Sequence, residues 1–113
     1  MKIKTSELIG AALNWAVASI EWPNDTAVLN PFDREQVNEL YPFDKDWSLT
    51  GPLIKHIDYL AKDATGWKAG KDMLPYICCF KHRSQAFTEL LAILRCFIAS
   101  KLGDEVEVPD HLV

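Results

Sequence analysis

The sequence predicts an α+β fold: two main helices packed on a small, mostly antiparallel sheet, with a long ordered middle loop. Three observations carry that expectation. From Ser84 to Leu102, apolar residues recur at helical spacing (Phe87, Leu90, Leu91, Leu94, Phe97, Ile98, Leu102). Tyr76-Ile77-Cys78-Cys79-Phe80 has the β-branched and aromatic content of a strand. Glu105-Val106-Glu107-Val108 alternates with period two, which buries one face and wets the other, and Pro109 ends the run.

Taken in chain order, Lys2-Ile3-Lys4 suits a short edge strand. A helix is then expected from Ser6 to Ile20. Thr5 or Ser6 serves as its cap, Glu7 lies where the helix dipole favours an acid, and Trp22-Pro23-Asn24-Asp25 stops it. Between Glu7 and Glu21 there is no charged residue. Ile9, Leu13, Ala16, Val17 and Ile20 share one face, with Leu8, Ala11, Ala12, Trp15, Ala18 and Ser19 opposite; only Gly10 and Asn14 look out between them. A helix apolar on two sides is buried on two sides. It is either central to the domain or meets a second chain, so a homo-oligomer is expected.

Residues 23–52 hold four of the six prolines, with a short helix over Asp33–Leu40 capped by Asn30 or Asp33. The rest reads as ordered loop, because Phe32, Tyr41, Phe43 and Trp47 are too apolar for a solvated linker. From Leu53 helix and strand both fit, Thr65-Gly66 ends the element, and Trp67-Lys68-Ala69 suits a short strand. Ser84 is the expected cap of the last helix. Lys101 sits at its negative end and Gly103 supplies the left-handed residue beyond it. The reverse side of this helix is small: Ala92, Cys96, Ala99 and Ser100.

The 113 residues fit a single domain, 1–113, able to bury roughly two-thirds of the surface that the unfolded chain exposes. With 49% hydrophobic and 25% charged residues, the balance is that of a globular protein. A net charge of -4 argues against tracking a nucleic acid duplex; Lys81-His82-Arg83 is the one dense basic spot. No basic region followed by an apolar run opens the chain, and no apolar run approaches the roughly 20 residues that cross a bilayer. Three cysteines with one adjacent pair are no disulfide framework. A reducing cytoplasm is the expected home.

Several motifs come close to known chemistry without reaching it. Gly66-Trp67-Lys68-Ala69-Gly70-Lys71 has three residues between its glycines where a phosphate loop has four, and Asp72 stands where Ser or Thr is needed. Cys78, Cys79 and His82 lack a fourth zinc ligand, and adjacent cysteines in a strand face opposite ways. His56 with Asp58, or His82 with Ser84, assembles a nucleophile and base only on paper, so no cofactor and no catalytic residue is assigned.

The four tryptophans are the stronger signal. Aromatic faces with a few basic and hydroxyl groups suit a nucleotide-derived ligand. Trp47-Ser48-Leu49-Thr50-Gly51-Pro52 offers a ring, hydroxyls and a close-approach turn. The candidate ligand-binding residues are Trp47, Thr50, Lys55, His56, Trp67, Arg83 and Arg95; Arg95 also suits a salt bridge to Asp104 or Glu105. The acids from Asp104 to Asp110 fit a charge-protected edge or a surface for a basic partner.

"KIKTSELIGAALNWAV" at 2–17, "LRCFIASKLGDEVEVPDHL" at 94–112, "DWSLTGPLI" at 46–54 and Trp67 together resemble the phage NinX-type family, small proteins encoded in accessory regions of tailed phages and prophages. Residues 23–43 and "KDMLPYICCFKHRSQAF" depart from that pattern, so no site there transfers. The resemblance implies a setting, a phage accessory protein in the cytoplasm of a bacterial host, and brings no catalytic residues. From that setting comes the expected function, a non-enzymatic binder that sequesters a nucleotide-derived defence signal. A protein–protein module that inhibits a host or phage protein is the alternative, and a small hydrolase of such signals the second.

Overall fold

The computed structural model describes residues 1–64, 66–74 and 79–113, with the side chains at 63, 72–74, 79–83 and 85 set aside. The fold is α+β. Strand β1 (Lys2–Lys4) is followed by a 3-10 turn (Thr5–Glu7), helices α1 (Gly10–Glu21), α2 (Thr26–Leu29), α3 (Arg34–Leu40) and α4 (Trp47–Thr50), and a second 3-10 turn (Gly51–His56). Strands β2 (Tyr59–Asp63), β3 (Gly66–Leu74) and β4 (Cys79–Ala86) lead into α5 (Glu89–Leu102), β5 (Glu105–Glu107) and a last 3-10 turn (Asp110–Leu112). The described strands form two separate antiparallel sheets, β1-β5 and β2-β3-β4.

Helix α5 is the hub. Leu90 to Leu94 and Cys96 to Ala99 are all buried, so both its large-residue face and its small-residue face are covered. It packs on β3 and β4 on one side and on α1 on another. It begins later than the periodicity suggests. Thr88, not Ser84, is the cap, its hydroxyl accepting the Leu91 N–H at 3.2 Å. Ser84 lies within β4 and donates its hydroxyl to the Ala92 carbonyl. Phe87 precedes the helix and is 91% exposed rather than part of the core. Gly103 ends α5 at φ 88°, in the left-handed region where glycine carries no Cβ penalty. The strand expected at Tyr76–Phe80 falls largely outside the described residues; β4 is described from Cys79 onward.

The first helix is shorter than Ser6–Ile20. Thr5 does not cap it. Its hydroxyl donates to the Gly103 carbonyl at 2.6 Å and its N–H to the Asp104 carbonyl at 2.8 Å, which ties the start of the chain to the end of α5. Helix α1 starts only at Gly10, leaving Leu8 fully buried and Ile9 63% exposed. Most of its apolar surface is covered within the chain, chiefly by α3 and α5, with Trp15 and Ile20 partly buried.

Asn14 does not look out as the helical wheel suggests. It is fully buried, its Nδ2 donating to Asn38 Oδ1 and Asp44 Oδ1 at 3.0 Å each, and its Oδ1 accepting the Asp44 N–H at 3.1 Å. A buried amide with three partners offsets its desolvation. It also fixes the middle segment against α1. That segment holds the expected helix, α3, and two further short helices, α2 and α4, within the loop, each with an aspartate cap: the Asp25, Asp33 and Asp46 side chains accept the N–H groups of Ala27, Gln36 and Ser48. Trp22 stacks with Tyr41 and Phe43 at centroid distances of 5.8 and 5.5 Å. Among the described residues, no helix is long and apolar enough to cross a membrane.

Asn14→Ala strips three hydrogen bonds from a buried side chain and leaves the Asp44 N–H without its acceptor. The expected loss is on the order of 3 kcal/mol of unfolding free energy, read from the urea midpoint at unchanged slope.

Candidate functional site

The two ends of the chain read as complementary ribbons. Lys2-Ile3-Lys4 lies antiparallel to Glu105-Val106-Glu107, with Lys2 opposite Glu107, Ile3 opposite Val106 and Lys4 opposite Glu105. The apolar pair turns inward, with Val106 buried, and the opposite charges face each other on the outer side. The Met1 amino group extends the clamp, donating to Glu107 Oε1 at 2.9 Å and the Val108 carbonyl at 2.8 Å, and lying 2.9 Å from Asp110 Oδ1. Its hydrogen bonds to Asp110 and then Glu107 raise the pKa of the amine, and the same amine lowers that of Asp110.

Beside β1 lies a cleft of about 740 Å³. Its floor is apolar, built from Ile3, Leu8, Ala11, Ala12 and Leu112, with Ile9 at the lip. Lys2, Lys4 and Arg34 bring cations to the rim, and Glu7 and Glu105 bring acids. Arg34 reaches it from the first turn of α3, and Asn38 one turn later, on the helix that Asn14 anchors. A second cavity of about 230 Å³ takes in Lys4, Thr5, Ser6, Ser84, Arg95 and Asp104. There Arg95 Nε donates to the Leu8 carbonyl at 2.9 Å, and burial lowers the guanidinium pKa. Arg95 thus holds the bend between β1 and α1 through this backbone contact.

The residues named from the sequence do not converge. Thr50 is fully buried, and its hydroxyl donates to the Phe43 carbonyl, so it closes a turn instead of facing a ligand. Trp47 is 44% exposed in the first turn of α4, and Lys55 is exposed on the neighbouring 3-10 turn. His56 is half-buried with its ring 5.2 Å from that of Phe97. Trp67 is half-buried on β3, with Lys62 Nζ 5.9 Å from the ring centroid. The Arg83 side chain lies outside the described residues; its backbone pairs with Gly70. Phe97, which His56 touches, and Arg95 are about 200° apart around α5, so His56 and Arg95 serve different sides of the molecule.

None of the six candidates with described side chains lines the larger cleft, and only Arg95 lines the smaller one. No tryptophan lines either. Trp15 donates its Nε1 hydrogen to the Val28 carbonyl at 3.0 Å, and Trp22 stacks on Tyr41 and Phe43. Gly66–Leu74 is a β-strand, so the glycine–lysine segment lies in a ladder and not in a phosphate loop. Among the described residues, no group of three His, Cys, Asp or Glu side chains is placed to hold a metal.

The cleft residues missed by sequence reasoning are Lys2, Lys4, Ile9 and Arg34. One signal was available: Lys-Ile-Lys near the start and Glu-Val-Glu near the end are charge complements with the same alternation, which pairs the two ends. No family model matches this chain, and no curated protein matches it.

His56 is set against the core, its ring beside that of Phe97. Burial, and then the cations Lys101 and Lys55, lower its pKa below 6.5. A base with a lowered folded-state pKa contributes stability that is present above pH 6.5 and is lost as the pH falls through the folded value. Lys101→Ala should move the His56 pKa back up toward 6.5 in an NMR titration, and His56→Phe should flatten the fall in stability on acidification.

Proposed function

We propose that this protein is a non-enzymatic interaction module that binds a protein partner in the cleft between its chain ends and so withholds that partner from action. The observation that carries this reading is the cleft itself, an apolar floor beside β1 with Lys2, Lys4 and Arg34 on its rim. Apolar floors with polar rims are the anatomy of protein interfaces. The setting, a phage accessory protein in a bacterial cytoplasm, rests on the resemblance at the two ends of the sequence. The acidic tail is the weaker recognition surface, because Glu107 and Asp110 already hold the Met1 amine.

Sequestration of a nucleotide-derived signal is the second reading. It is favoured by a cleft volume of about 740 Å³, within the usual range for small-molecule sites, and by the three cations. The distribution of the tryptophans weighs against it, since no ring in the cleft stacks a base.

Ile9→Asp separates binding from folding. Ile9 is exposed, lines the cleft and is the cap residue of α1, where aspartate is favoured. The variant should melt no lower than the parent yet lose its partner at least tenfold in co-purification from phage-infected cells, quantified by mass spectrometry. Equal recovery by parent and variant refutes the cleft as the binding surface. Native mass spectrometry with a panel of cyclic nucleotides and ADP-ribose derivatives tests the second reading: a retained, unchanged ligand favours it, and a cleaved ligand favours a hydrolase. The same spectra give the oligomer number.

A further inference from the structure

We propose that the partner enters the cleft as an extended segment that adds a strand to the open edge of β1, and that this segment alternates acidic and apolar residues. The inference rests on the interaction-module reading and supplies the chemistry of its partner.

Hydrogen-bond register fixes which edge is open. The Val108 N–H donates to the Met1 carbonyl at 2.9 Å and the Thr5 N–H to the Asp104 carbonyl at 2.8 Å, with Ile3 opposite Val106 between them. In an antiparallel pair, successive residues turn their peptide groups to opposite sides. Met1, Ile3 and Thr5 therefore address β5, while the N–H and C=O groups of Lys2 and Lys4 point away from it. Among the described residues the sheet holds these two strands, and the outer edge of β1 is paired with no other described strand. All four residues Met1–Lys4 line the cleft, while β5 contributes only Glu105. The cleft thus runs along the side that β5 leaves open. An uncovered strand edge is a template for further pairing, and peptide recognition by strand addition uses such edges.

The chain itself shows which sequence fits. On its inner edge β1 already accepts Glu-Val-Glu, with the acids opposite Lys2 and Lys4 and the valine directed with Ile3 toward the core. A strand on the outer edge meets the same two lysines on one face, and on the other the floor formed by Leu8, Ala11, Ala12 and Leu112. Acid–apolar–acid is the complement of both faces at once, and Arg34 adds a cation at the rim. Each lysine would then lie between two carboxylates, one from β5 and one from the guest. The main chain supplies affinity and the alternation supplies choice.

The probe is the blocked peptide acetyl-Asp-Glu-Val-Glu-Val-amide, a copy of residues 104–108, titrated into the full chain and followed by NMR. Bound peptide should slow solvent exchange of the Lys2 and Lys4 amides at least tenfold, leave the Ile3 amide nearly unchanged, and weaken as salt rises. A peptide of the same sequence N-methylated at every residue should not bind, and Ile9→Asp should weaken the parent peptide at least tenfold. Absence of binding at millimolar peptide, or binding without slowed exchange at Lys2 and Lys4, overturns strand addition. Should either occur while Ile9→Asp still abolishes partner recovery from infected cells, the interaction module stands and only the mode of docking falls. If the amides are protected but recovery does not depend on Ile9, strand addition stands and the module reading falls.

Discussion

A helix with no polar side has to be enclosed, and the rest of this small protein is arranged around that requirement. Helix α5 buries residues around most of its circumference, including Ala92, Cys96 and Ala99 on the narrow side. The β3–β4 hairpin covers one flank, α1 a second, and the 3-10 segment ending at His56 a third. Small residues let these neighbours approach closely, which is how 113 residues enclose a helix that in a larger domain would have dedicated layers on either side. The cost falls on α1, which must also be covered on its far side. The aspartate-capped helices of the middle segment do that, pinned by the Asn14 amide.

The cleft follows from the same arrangement. With α5 enclosed, the two chain ends leave the core side by side, joined through the buried Thr5 and its bond to the carbonyl of the left-handed Gly103. Arg95 then holds the Leu8 carbonyl from below, so the chain turns sharply between β1 and α1. That turn buries Leu8 and raises Ile9 to the lip. The cleft is thus built by backbone geometry at a helix start, with common aliphatic and basic side chains, and not by a constellation of unusual residues.

This explains what could be read from the sequence and what could not. The α+β class, the α3 helix with its Asp33 cap, the stop at Gly103 and the alternation of Glu105–Val108 all follow from local rules of capping, propensity and period, and all are present. Where those rules mislead, a contact distant in sequence has prevailed. Thr5 has the chemistry of a cap, but Gly103 claims its hydroxyl, and α1 begins at Gly10, four residues later than Ser6. Asn14 looked solvent-facing because nothing local marks Asn38 and Asp44 as its partners. Thr50 looked like a ligand hydroxyl because its bond to the Phe43 carbonyl closes a turn that only the fold reveals. Tyr41 is a similar case: its buried hydroxyl makes no hydrogen bond of ordinary length, and burial followed by the nearby Asp25 carboxylate pushes its pKa up to about 12.

The pairing of β1 with β5 also has a consequence in time. Strand β1 is synthesised about a hundred residues before its inner partner β5. Until β5 is made, Lys2–Lys4 lack the strand they pair with. Pairing across such a separation is the slowest class of contact to form. A nascent chain that has not reached Glu107 therefore cannot hold Lys2–Lys4 in a paired strand, and the cleft takes its final shape only once the late segment has folded back onto the early one.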